Sequence, residues 1–211
     1  HLILEVLNLS RVANSVASVA LAQRALADAW RFAEGRVAFG KPIAEHPLLR
    51  RQLADRRAAL DRAFALAWEA VRLLDDVWRE TPPYSERYHL FRLVAHLAKY
   101  WTAEFAVQTA KWAMEVFGGA GTLAENGVER WLREAMILAI WEGTPHRQML
   151  DGVEVMQARG AHRLLCRHLA RDGPARGVEL EARVAARLAL PAEAREAGVE
   201  DLFRDVAAVT G

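Results

Sequence analysis

The sequence predicts an all-α protein, an antiparallel helical bundle of long helices over residues 1–159 with a short helical C-terminal extension over 160–211. Three observations carry that reading. Apolar residues recur at steps of three, four and seven nearly throughout. No stretch sustains the period of two that a half-buried strand needs. Glycine and proline pairs interrupt the pattern at intervals that suit helices.

The first helix is expected from Leu2 to about Ala38, with Val12, Val16, Val19, Gln23, Leu26, Trp30 and Ala33 along one face. Such a helix is roughly 50 Å long at 1.5 Å per residue. Gly40-Lys41-Pro42 stops it. The second runs from Pro47 to about Glu80, its face marked by Leu49, Leu53, Leu60, Phe64, Ala67, Val71 and Leu74, and ends at Thr81-Pro82-Pro83. Leu90, Val94, Leu97, Trp101, Phe105, Gln108 and Trp112 mark the third, closed by Gly118-Gly119. A short fourth helix spans about Gly127 to Trp141, and a fifth begins at Pro145, a good first-turn residue, and ends near Arg159. Short connections make consecutive helices antiparallel, with most Met and Trp side chains as packing.

Breaks at Gly173-Pro174, Pro191 and Gly198 divide the tail into three short amphipathic segments. Arg159, Arg163, Arg167 and Arg171 stand one helical turn apart, beside His162 and His168. Like charges at that spacing repel. Either acidic neighbours in the fold or a phosphate-bearing ligand or nucleic acid must compensate.

Composition narrows the function classes. The 211 residues are 53% hydrophobic and 26% charged, which suits a globular core and not a disordered chain. With 28 basic against 27 acidic residues there is no global attraction to nucleic acid or an anionic membrane. The single cysteine, Cys166, excludes an internal disulfide and fits a reducing, cytoplasmic setting. No apolar run approaches the roughly 18 residues of a membrane span. The chain opens at His1 in mid-pattern, and the expectation is a fragment whose N-terminal part lies elsewhere.

The chemistry-bearing residues lie at the two ends of the short fourth helix. Phe117-Gly118-Gly119-Ala120-Gly121 precedes it, and Ile140-Trp141-Glu142-Gly143-Thr144-Pro145 follows. A carboxylate leaving a helix into a Gly-Thr turn beside tryptophan is poorly solvated, an environment that suits a proton acceptor. The same residues also fit a plain helix start and stop, with Glu142 facing water.

Five segments in register resemble the C-terminal helical domain of acyl-CoA dehydrogenases over about Leu2 to Gln157. They are Arg11 with Leu21-Ala22-Gln23-Arg24-Ala25-Leu26; Arg36-Val37-Ala38-Phe39-Gly40-Lys41-Pro42; the Phe117–Gly121 turn; Glu129-Arg130-Trp131-Leu132-Arg133-Glu134-Ala135; and Ile140-Trp141-Glu142-Gly143-Thr144. The resemblance implies an FAD-dependent oxidoreductase with two further domains. In it a carboxylate removes the α-proton of an acyl-CoA thioester while the β-hydrogen leaves as hydride to flavin N5. Glu142 matches the family base. Some members carry the base just before the Arg11 position, where this chain has Ser10. Asn8, Arg11 and Gly143 fall where the family contacts acyl-CoA, although Arg11 equally fits a salt bridge within the bundle. Arg36, Phe39, Gly118 and Gly119 fall where it meets the FAD of a neighbouring subunit, and Thr144 and His146 near its own flavin. A homo-oligomer, dimer or tetramer, is implied, with electron-transfer flavoprotein as a candidate partner. Pro47, Glu115 and His146 depart from the family pattern, all on the adenosine side. Ile-Trp-Glu-Gly and the run Gly40–Pro47 look closer to the alkylation-response branch, which has been associated with DNA. Two alternatives stand beside the dehydrogenase: a flavin-binding relative with little turnover that associates with nucleic acid, and a helical oligomerisation module without chemistry.

Overall fold

A computed structural model describes residues 2–171 and 174–210. Its long helices are α1 (Leu2–Gly35), α2 (Pro47–Val77) and α3 (Glu86–Phe117). Shorter ones follow: α4 (Val128–Ile140), α5 (Pro145–Arg159), α6 (Ala161–Leu169), α7 (Pro174–Leu188), α8 (Ala192–Ala197) and α9 (Val199–Thr210). The all-α bundle is as the sequence predicts. No described helix is long and apolar enough to cross a membrane.

α1 stops at Gly35, short of Ala38, because the chain doubles back. Ile43 N–H donates to Arg36 O at 2.8 Å, and Val37–Ala38 (β1) pairs with Lys41–Pro42 (β2) as a two-residue antiparallel ladder. Phe39 and Gly40 form its tip at φ 52° and 83°. This hairpin is too short to leave a period-two pattern. The buried face of α1 also differs from the expected stripe: Val16 and Gln23 are exposed, while Ser15, Ser18, Ala22, Ala25 and Ala29 are buried. Ser15 and Ser18 return their hydroxyl protons to Arg11 O and Asn14 O, each at 2.8 Å, so small polar residues cost little at this close interface.

Pro47 opens α2, where its missing N–H is no loss. Phe64, expected on the core face, is 55% exposed and stacks on Trp68. α3 starts at Ser85, whose side chain accepts Tyr88 N–H, and ends at Gly118. Every residue from Leu93 to Tyr100 is buried, because α1, α2, α4, α5, α6 and α9 all pack against α3.

The tail forms four helices instead of three segments, with Pro191 before α8 and Gly198 before α9. The expected break residue Gly173 lies outside the described residues. Leu165, Leu180, Val184, Leu202, Phe203 and Val206 join the cluster that contains Leu97, Tyr100 and Met156. The arginines do not form one stripe, since Gly160 at φ 61° separates Arg159 on α5 from Arg163 and Arg167 on α6. Arg163 meets Glu181 at 3.8 Å and Arg167 meets Glu86 at 3.3 Å, so for these two the compensation is acidic neighbours.

Phe203 is fully buried and its ring lies over Gly152, where any side chain would collide with it. Phe203→Ala is expected to destabilise the whole chain by about 3–5 kcal/mol. Chemical denaturation checks this: one transition should move to lower denaturant, with bundle and extension unfolding together.

Candidate functional site

The site begins where α4 ends. The last carbonyls of any helix lack intrahelical donors. After Trp141 N–H closes on Ile137 O at 3.0 Å, the chain turns through Glu142 at φ 56° and Gly143 at φ 103°. For a glutamate that left-handed conformation costs of order 1–3 kcal/mol, so its surroundings must hold it there. Two buried side chains do. Lys99 Nζ donates to Ala139 O and Gly143 O, both at 2.8 Å. Gln148 Nε2 donates to Gly143 O at 3.0 Å and Glu142 O at 3.2 Å. A Cβ on Gly143 would stand 2.8 Å from that Gln148 nitrogen.

His96 orients Gln148. Its Nδ1 lies 2.9 Å from Gln148 Oε1, which can only accept, so His96 donates as the Nδ1–H tautomer. Complete burial, aided by Arg11, pushes the His96 imidazole down to about 3, and the ring is neutral. Burial likewise pulls the Lys99 ammonium down to about 8, against the attraction of Glu142.

The Glu142 carboxylate is half-buried, and its Oε2 is buried with no hydrogen-bond partner among the described residues. Beside it on α1, Asn8 and Arg11 are only 3% and 5% exposed. Arg11 donates to Asn8 Oδ1 at 2.8 Å and faces Asp151 at 3.7 Å, an aspartate also held by Arg147 at 2.6 Å. Of the two readings of Arg11, the salt bridge within the bundle is therefore present. Asn14 ties α1 to the end of α4, donating to Leu138 O at 3.2 Å and accepting Trp141 Nε1–H. Thr144 and His146 continue the turn and are exposed.

Asn8, Arg11, Glu142 and Gly143 thus share one neighbourhood, with Thr144 and His146 beside them. Arg36, Phe39, Gly118 and Gly119 lie at the other end of α1, where Phe32 stacks on Phe117 at 4.1 Å. From Arg11 to Gly35 the helix rises about 36 Å at 1.5 Å per residue. There Phe39 is 96% exposed, Arg36 has no ion-pair partner among the described residues, and open space lies over Gly118 and Gly119. Of the departures from the family pattern, Glu115 pairs with Lys111 and Pro47 serves as the helix start.

Lys99, His96, Gln148 and Asp151 were not among the expected site residues. A signal existed: His96 and Lys99 are three apart inside an otherwise apolar run of α3, where any polar group must find an internal partner.

Residues 1–157 match the family profile described as acyl-CoA dehydrogenase, C-terminal domain. The chain is 33% identical over 142 residues to cyclohex-1-ene-1-carbonyl-CoA dehydrogenase of Geobacter metallireducens, covering 67% of this chain and 35% of that protein. It is 32% identical over 147 residues to the mitochondrial short-chain specific acyl-CoA dehydrogenase of Homo sapiens, covering 70% of this chain and 33% of that one. The chain therefore spans about a third of the length of these relatives. Among solved structures, the Bd2924 apo-form superposes with a TM-score of 0.86 at 27% identity, covering 99% of this chain and 42% of that chain.

The depressed His96 has a measurable consequence. The unfolded imidazole binds a proton below its ordinary value of 6.5, whereas the folded one does so only near 3. Its contribution to stability is therefore full above 6.5 and is lost progressively as pH falls toward 3. Urea midpoints measured across that window should fall less steeply with acid in His96→Gln, by up to one proton, than in the wild type.

Proposed function

The chain belongs to the acyl-CoA dehydrogenase family, as its C-terminal helical domain, and from that premise we propose that Glu142 is the base that takes the α-proton of an acyl-CoA thioester. One observation carries this reading: the Glu142 carboxylate presents a buried oxygen with no hydrogen-bond donor among the described residues, on a turn whose left-handed conformation glutamate rarely adopts. Donors aimed at a carboxylate stabilise its charge and weaken it as a base. Here the donors go to the backbone carbonyls of Glu142 and Gly143 instead.

The thioester carbonyl acidifies the α-carbon, and Glu142 Oε2 accepts the proton. Gly143 beside it takes φ 103° with Gln148 packed where a Cβ would stand, so the turn that carries the base needs glycine there. Arg11, hydrogen-bonded to Asn8, lies close enough to Glu142 to act on it electrostatically, which supports these two as substrate-contact residues. Both named relatives above are dehydrogenases of CoA thioesters, which supports that substrate class.

FAD is the cofactor this reading requires, and when bound it supplies the acceptor for the β-hydride. The residues at the far end of α1 fit a dinucleotide. Arg36, with no ion-pair partner among the described residues, suits a pyrophosphate, the exposed Phe39 ring offers an apolar face, and the open backbone at Gly118 and Gly119 allows close approach. Thr144 and His146 stand beside the base for the chain's own flavin. The separation of the two ends along α1 supports their serving different subunits, hence a homo-oligomer. Electron-transfer flavoprotein is the proposed acceptor. The dehydrogenase reading is favoured over nucleic-acid association, since Glu86 and Glu181 already face two of the arginines.

In the flavin-loaded protein, Glu142→Gln should keep flavin content nearly unchanged while acyl-CoA-dependent bleaching slows by at least about 100-fold. Unaltered bleaching would remove Glu142 from the chemistry. Arg36→Ala should do the reverse, lowering the flavin retained through gel filtration while leaving the α-proton exchange rate per bound flavin unchanged.

A further inference from the structure

We propose that Lys99 is a positioning residue for the base: its buried side chain clamps the backbone on both sides of Glu142 and so aims the carboxylate. The inference rests on the reading of Glu142 as that base. The geometry is a bracket. Ala139 O lies three residues before Glu142 and Gly143 O one after, and a single Nζ holds both at 2.8 Å. Fixing these two carbonyls to one atom leaves the intervening chain little freedom to unwind from its left-handed turn. Gln148 closes the bracket from α5, sharing Gly143 O and taking Glu142 O.

Stability alone gives a poor account of this lysine. It is 1% exposed, and burying an ammonium is costly even when hydrogen-bonded. A methionine would fill nearly the same volume with no such cost. What a methionine could not do is give charge-assisted bonds to the exposed carbonyls of a helix C-terminus, where a cation is favoured. The charges acting on the ammonium come from three elements. Glu142 on the turn and Glu104 on α3 favour it, while Arg11 on α1 opposes it. Neither of its hydrogen bonds goes to the Glu142 carboxylate, whose Oε2 stays free.

Lys99→Met is compared with Leu66→Ala, which removes a buried side chain of α2 and serves as a control for general loosening. Amide hydrogen exchange is read at Trp141 and Gln148, the hydrogen-bonded amides that flank the turn. Protection there should fall roughly tenfold further in Lys99→Met than in the control. In the flavin-loaded protein, bleaching by a mixture of butyryl-, octanoyl- and palmitoyl-CoA should slow about 100-fold, with half-saturation unchanged, as expected when a reacting group is misplaced. Should Lys99→Met not fold, Lys99→Gln serves, since it drops the charge and keeps a donor one atom short. Equal protection in variant and control overturns the clamp, as does lost protection with normal bleaching. If Glu142→Gln bleaches at the wild-type rate, the base assignment fails whatever Lys99 does. A dead Glu142→Gln beside an unimpaired Lys99→Met overturns the clamp alone.

Discussion

A helix buried on every side must be surrounded, and α3 imposes that condition on the rest of the molecule. Its residues from Leu93 to Tyr100 have no exposed face, so α1, α2, α4, α5, α6 and α9 are all drawn against it. The same condition disciplines its polar residues. His96 and Lys99 cannot reach water, so each must find an internal partner. They find Gln148, a carbonyl of the last turn of α4 and one of the turn that follows it, where carbonyls are short of donors for a reason of their own. Two deficits cancel, and their meeting point is the Glu142-Gly143 turn. The position of the candidate base thus follows from the burial of α3.

The length of α1 sets a second constraint. A 34-residue helix carries the residues near the base and those of the hairpin as a rigid pair, far apart on one rod. Arg36, Phe39 and the Gly118-Gly119 turn sit at its C-terminal end, joined through the Phe32–Phe117 stack. Asn8, Arg11 and Glu142 gather towards its other end. The chain spans about a third of the length of the relatives named above.

Long-period features of the sequence were the legible ones. Helical spacing and Gly/Pro breaks located the long helices to within a few residues, because burial of large side chains repeats at 3.6 and leaves a visible trace. Small buried residues leave none. Ser15, Ser18, Ala22 and Ala29 form the close face of α1, whereas helical spacing from the larger residues points to Val16 and Gln23, which are exposed. The hairpin at Phe39 escaped because two residues per strand cannot show alternation. The turn at Glu142 was legible as motif, but its support was not. Lys99 and Gln148 are 49 positions apart, and only the packing of α3 against α5 brings them to one carbonyl. The arginine spacing misled in the opposite way, since a regular interval in sequence runs across the break at Gly160.

The distribution of hydrogen-bond donors supports the proposal that the Glu142 turn is more than a plain helix stop. A glutamate that merely ended α4 would be expected to face water or to accept from one of the nearby cations, since either stabilises its charge. Lys99 and Arg11 are both close enough to act on it electrostatically. Lys99 nonetheless gives its protons to Ala139 O and Gly143 O, and Arg11 turns to Asn8 and Asp151. The two cations offset the charge of Glu142 without bonding Oε2. A buried oxygen denied a donor in this way is destabilising for the fold. In the proposed reaction the substrate supplies the missing proton. Lys99 and Gln148 commit their protons to backbone carbonyls and Arg11 turns to Asn8 and Asp151, around a turn whose conformation itself costs free energy, and this is what supports the proposal that Glu142 is the base.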